Sequence, residues 1–217
     1  MAKYKSLVEL SGSIGDLVFY TLNGTPVVRR KSGFSKEGYQ NNPKYQKVRE
    51  NSQEFGHCSK SGKLIRQTLD AFIGNCEDKY MYQKFAKVMT QIKDLDVKNE
   101  KGKRRIEVGL ENPKAYTLLS GFTFGKFPRP EDVSLDHAFF TKTLQFKSKP
   151  VGTSVQLLTM KPDLVNLSMD CKEQTLDIVP KKLVYEFDSY YGDDNAPLLY
   201  FCIIKNKEEV LQAGFLA

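Results

Sequence analysis

Apolar positions change their period twice along this chain. Between residues 5 and 30 they come in short runs, "LVFYT" and "PVVRR", on either side of Asn23-Gly24. Asn-Gly tolerates the positive backbone angles of a type I′ turn, so the segment predicts a tight β-hairpin. Pro26 removes a ladder donor and argues for an edge strand. Gly12 and Gly15 mark a turn or bulge before the hairpin.

From Asn42 the period becomes helical. Asn42 suits an N-cap, and Pro43 suits the first helical position, where its missing N–H costs little. Tyr45, Val48, Ser52, Phe55, Ser59 and Gly62 recur three and four residues apart, the spacing of one helix face, and Ile65, Leu69 and Phe72 continue it. Gly56, Ser59, Ser61 and Gly62 are poor helix formers, which predicts a kink near 56–62 or a place where another backbone comes close. A second stripe, Arg49, Gln53, Gly56, Lys60, Lys63 and Gln67, gives the helix a basic and amide face. A second helix is predicted over 78–93, with Met81, Phe85, Val88 and Ile92 inward and Lys79, Lys84 and Lys87 outward. "KNEKGKRR", 98–105, reads as a turn, loop or linker.

Beyond it, after a short helical turn in "NPKAYTLLSG", the pattern predicts strands near 142–147, 154–159, 164–169, 174–179, 182–188, 198–205 and 209–215. Turns are expected at Lys149-Pro150, Lys161-Pro162-Asp163, Pro180 and "GDDNAP". This spacing argues for an antiparallel sandwich or barrel; the expected form is a sandwich, with an immunoglobulin-like arrangement as one option. The expected fold class is α+β: a hairpin-and-helix module over 1–105, then a β-sandwich over 106–217.

Charge reinforces that division. Residues 1–105 carry 21 Lys and Arg against 11 Asp and Glu, whereas 106–217 carry 12 against 15. An acidic partner would be drawn to the first half. No apolar run approaches the roughly 18 residues of a membrane span. "MAKYKSLVELSGS" lacks the apolar core of a secretory signal, so a cytoplasmic protein without a membrane partner is expected. Cys58, Cys76, Cys171 and Cys202 lie far apart and read as four separate thiols.

Catalytic patterns fail on context. "GSIGD" lacks the third glycine and the following helix of a dinucleotide fingerprint, and no GxxxxGK[ST] occurs; "KSGKL" has no upstream glycine. His57 and Cys58 are adjacent on a helix, where neighbours diverge by about 100°. His137 has no metal-ligand spacing around it. Asp193-Asp194 reads as a solvated turn rather than a cation or acid–base site. No catalytic residue, metal ligand or cofactor is therefore assigned, and the chain is read as non-enzymatic.

Two stretches, "GSIGDLVFYTLNGTPVVRRKSG" and "NNPKYQKVRENSQEFGHCSKSGKLIR", and more loosely "LLSGFTF" at 118–124, resemble an uncharacterised group of Bacteroidota proteins associated with prophage-like regions. The resemblance implies a helical module ahead of a β-domain and a phage- or prophage-derived setting, and it implies no reaction. The expected role is a structural or assembly protein that binds itself or other assembly proteins. Its contact residues would be Phe19, Tyr20, Arg29, Arg30 and Lys31 on the hairpin, and Gly56, Ser59 and Gly62 on the small-residue helix. Strand addition at a hairpin edge would give main-chain bonds without a catalytic group. The alternative is a nucleic-acid-binding accessory protein whose Arg29, Arg30, Lys31, Arg49, Lys60, Lys63, Arg104 and Arg105 meet phosphates.

Overall fold

Asn23 and Gly24 have φ of 51° and 79°, the left-handed pair that a type I′ turn requires. They join β3 (Leu17–Leu22) to β4 (Thr25–Arg30) in the predicted hairpin. The computed structural model describes residues 2–6, 8–31, 36–74, 76–137, 141–191 and 197–217. These fall into two compact units, Met1–Arg49 and Glu50–Ala217.

In the first unit, β1 (Ala2–Lys3) pairs with β4 and β2 (Gly12–Ile14) pairs with β3, giving the order β1-β4-β3-β2. Strand β4 is thus an inner strand, not the edge that Pro26 suggested. The proline is accommodated because β1 pairs only with Val27 and Val28 and stops short of it. Helix α1 (Lys36–Asn41) follows. The Asn42 side chain accepts from the Lys44 amide at 2.9 Å, with Pro43 opening a 3-10 turn, Pro43–Tyr45. That turn feeds α2 (Gln46–Ile73), whose last 24 residues belong to the second unit.

Helix α2 runs unbroken through Gly56 and Gly62, against the predicted kink. Its buried residues are Glu54, Cys58, Ser61, Gly62, Ile65, Leu69 and Ile73, so Gly62, Ile65 and Leu69 lie on the buried face as the spacing predicted, while in the earlier turns Glu54 and Cys58 are buried one position before Phe55 and Ser59. Phe55 and Val48 are left exposed. Tertiary packing overrides the low helix propensity here: a Cβ on Gly62 would sit 3.0 Å from Met89 Cγ and 3.4 Å from Phe85 Cδ1 of α3 (Met81–Lys93). Met81, Phe85 and Ile92 are buried as the spacing predicted. Two short helices, α4 (Ile106–Gly109) and α5 (Lys114–Ser120), complete the helical layer.

Seven strands then build two antiparallel sheets. One is β5 (Val133–His137), β6 (Thr141–Phe146) and β9 (Val184–Asp188), ordered β5-β6-β9. The other is β7 (Ser154–Asp163), β8 (Ser168–Asp177), β10 (Leu199–Asn206) and β11 (Glu209–Phe215), ordered β11-β10-β7-β8. This is the seven-strand wiring of an immunoglobulin-type sandwich, with the fourth strand placed beside the third. The strands expected at 164–169 and 174–179 are one strand, β8, entered by a turn at 164–167. Strand β5 was not foreseen.

The inner strands β7 and β10 of the larger sheet are buried on both faces. Leu158, Met160, Leu199, Phe201, Ile203, Ala213 and Phe215 pack with the helices. Val155, Leu157, Tyr200, Cys202 and Ile204 pack against Leu135, Leu144, Phe146, Tyr185 and Phe187 of the smaller sheet. Alternate residues of β10 therefore serve two cores, because successive side chains in a strand point to opposite faces. The helices from residue 50 onward share one core with the sheet, and the compact units divide at 49/50.

Candidate functional site

The basic stretch 98–105 is held by carboxylates. Glu54 lies on the inward face of α2 and is 4 % exposed. Its Oε1 accepts from the Gly102 amide at 2.6 Å and Arg104 Nε at 2.9 Å, and its Oε2 accepts from Arg104 Nη2 at 2.8 Å and Lys93 Nζ at 2.7 Å. Asp94 Oδ1 accepts from Lys93 Nζ and from Arg104 Nη1 at 2.8 Å. Next to this network, Asp96 accepts from the amides of Lys98, Asn99 and Arg105 and from Asn99 Nδ2. The Arg104 guanidinium holds the Glu54 carboxyl well below the usual carboxylate range, outweighing its burial. Burial works against ionisation of Asp96, but its amide hydrogen bonds win and lower its pKa. Charge-assisted bonds of this kind are short and strong, so the segment is a turn-rich strap, as a turn or loop was expected there, and it is clamped to the helices.

His57 and Cys58 diverge as adjacency predicts. His57 Nε2 lies 3.0 Å from Glu107 Oε2 and 3.3 Å from the Ile106 amide, so its tautomer decides whether it donates to the one or accepts from the other. Burial opposes ionisation of Glu107, but the hydrogen bonds from His57 and from its own amide lower its pKa. Cys58 is buried, its thiol donates to the Met89 carbonyl at 3.7 Å, and burial pushes its pKa up. Among the described residues no group of three or more His, Cys, Asp or Glu could hold a metal ion, and no helix is long and apolar enough to cross a membrane. Asp193, Asp194 and Gly33 lie outside the described residues.

The predicted contact residues separate. Phe19 is half-buried with its ring edge-on to Tyr4, centroids 5.4 Å apart. Tyr20 lies opposite Val27, on the other face of the sheet from Phe19. Arg29 and Arg30 are exposed but alternate between the two faces, and Lys31 is exposed just past the strand, its amide donating to the Asp16 carbonyl at 2.6 Å. The hairpin's outer edges are partly covered by β1 and β2, which leaves edge strands of only two and three residues. Edges this short discourage strand addition.

Two of the eight predicted phosphate contacts serve the fold. Arg49 Nη1 donates to the Tyr39 carbonyl at 2.5 Å and the Asn42 carbonyl at 3.2 Å, satisfying acceptors at the end of α1. Arg104 is committed to Glu54 and Asp94. Lys60, Lys63 and Arg105 are exposed.

The small-residue stripe has three different environments. Gly62 is buried against α3 of the same chain, and Gly56 has open space where a Cβ would project. Ser59 and Gly62 line a groove of about 360 Å³ between α2 and α3. Its other lining residues include Phe55, Arg66, Tyr82 and Lys87. Phe55 is 59 % and Tyr82 51 % exposed. Sequence reasoning placed Phe55 on the core face and passed over Tyr82 and Arg66. The signal available was Phe55 standing one turn before Ser59 on a stripe otherwise made of small residues. No family model, curated protein or solved structure matches the chain.

Proposed function

We propose that this chain is a non-enzymatic docking or assembly protein, and that the groove between α2 and α3 is its contact surface. The observation that carries the reading is the pair of half-exposed aromatic rings, Phe55 and Tyr82, at an apolar groove floored by Ser59 and Gly62. Large aromatic side chains left on a surface beside a concavity are characteristic of protein contact sites. The buried ionisable groups Glu54, Lys93 and Asp96 are occupied in holding the strap, a role in the fold. The partner is a second copy or another assembly protein, and the resemblance to prophage-associated proteins supplies the particle setting. The hairpin edge is a poorer surface, because its own neighbours β1 and β2 lie along it.

The test is photo-crosslinking in cells with a benzophenone amino acid in place of Phe55 or Tyr82. A discrete adduct at both positions, identified by mass spectrometry as one protein, supports the reading. Absence of any adduct at both positions, in cells where the protein is expressed, overturns it.

The second reading is a nucleic-acid accessory protein. It draws on the exposed Arg29, Arg30, Lys31, Lys60, Lys63 and Arg105, and loses Arg49 and Arg104. A salt titration of binding to duplex and single-stranded DNA separates the two, since phosphate contacts are strongest at low salt.

A further inference from the structure

We propose that the α2–α3 groove takes an acidic peptide segment, with an apolar side chain between Phe55 and Tyr82 and a carboxylate on Arg66. This rests on the docking reading above and adds the chemistry of the partner. The charged side chains lining the groove are Arg66 and Lys87, and no lining residue is a carboxylate. The nearby Glu54 is consumed by Lys93, Arg104 and the Gly102 amide, so it does not neutralise them. Arg66 Nε is buried and has no hydrogen-bond partner among the described residues. Arg66 is half-buried and lines the groove with Lys87, so the two offer a partner carboxylate a charge-assisted bond through their accessible parts, while the buried Nε stays out of a partner's reach. The surrounding aromatics and small residues favour the apolar face of an amphipathic helix, the geometry of helix-in-groove recognition. A nucleic acid would instead be expected to use the exposed Lys60 and Lys63, which do not line the groove.

The experiment titrates two synthetic amphipathic peptides of about three helical turns into the full chain, followed by amide NMR. The peptides share apolar positions and differ only in carrying Glu or Gln at the polar ones. The Glu peptide is expected to shift the amides of Phe55, Ser59, Arg66, Tyr82 and Lys87 and to bind on the order of tenfold more tightly than the Gln peptide. Arg66→Gln should abolish that preference, and Phe55→Ser should weaken both peptides while leaving signals of the β-sandwich in place. Equal binding of the two peptides overturns the acidic preference yet leaves the groove as a docking site. Groove shifts produced by single-stranded oligo-dT and by neither peptide assign the groove to nucleic acid and overturn the proposal. Groove shifts that follow protein concentration alone assign it to a second copy and overturn it too. Absence of any shift with either peptide overturns the peptide chemistry, and the crosslinking at Phe55 and Tyr82 then decides the docking reading separately.

Discussion

The Arg104 guanidinium meets the Glu54 carboxylate in a two-point fork, Nε to Oε1 at 2.9 Å and Nη2 to Oε2 at 2.8 Å, across fifty residues of chain. With Lys93 Nζ on the same carboxylate at 2.7 Å, the fork ties the 98–105 strap to α2 and α3. Without Glu54, Lys93 and Arg104 keep Asp94 as their carboxylate partner in this network, and the buried Lys93 ammonium is left under-compensated. Glu54→Ala should therefore cost about 3 kcal/mol or more in urea unfolding, by the usual cost of breaking such pairs. A loss under about 1 kcal/mol, the size of an exposed pair, would show that the network is solvated and dispensable.

Acid should weaken the same region. Glu54, Asp96 and Glu107 have folded pKa values below their ordinary carboxylate values. Each contributes stability that is complete above the unfolded carboxylate pKa of roughly 4 and disappears as pH falls through the lower folded value. The urea midpoint should hold between pH 7 and 5 and drop towards pH 3, and Glu54→Gln should show a shallower drop. A midpoint that stays level down to pH 3 in the parent chain contradicts the linkage.

Two glycines should respond in opposite directions to alanine. A Cβ at Gly109 would overlap the Ile92 carbonyl oxygen, whereas one at Gly56 meets open space on an unbroken helix. Gly109→Ala is expected to destabilise by about 2 kcal/mol or more through overpacking. Gly56→Ala should stabilise by up to about 1 kcal/mol, the helix-propensity difference. Thermal melts of the two variants check this, and destabilisation by Gly56→Ala would indicate that a neighbour occupies the space.

The thiols should be inert in the native protein. Burial pushes Cys76 and Cys171 up to about 11, with nearby acidic groups adding to it, and Cys202 up to about 12; Cys58 is raised as well. Since the thiolate is the nucleophile, a disulfide reagent at pH 8 should react slowly with the native chain and rapidly with all four cysteines in guanidinium. A fast native phase would place one of these sulfurs in a more polar, open environment.

Local features were legible in the residues. Asn23-Gly24 announced its turn, Asn42-Pro43 its helix start, and Met81, Phe85 and Ile92 their face, because each signal lies within a few positions. The Glu54–Arg104 fork was not legible, since nothing local marks which carboxylate will meet a cation fifty residues later. "KNEKGKRR" read as a turn, loop or linker, without its clamp, for that reason: Arg104 matches partners on α2 and just past α3, not within the segment. Phe55 was assigned inward because periodicity gives the spacing of a face but not its rotation. A strand was expected near 198–205, yet only the fold reveals that one of its faces packs on the smaller sheet and the other on helices. Of the candidate site, Ser59 and Gly62 were found by their size, while Arg66 and Tyr82 became relevant only once α3 lay beside α2.

The doubly buried strands β7 and β10 bear on how this protein can evolve. A sandwich with one greasy side and one wet side is portable, able to be spliced from gene to gene and to fold wherever it lands. Here the strands beginning at β5 would carry away an uncovered wall containing Leu158, Met160, Phe201, Ile203 and Phe215. Excised without its helices, the sandwich would have to bring another cover for that wall or hide it against a neighbour.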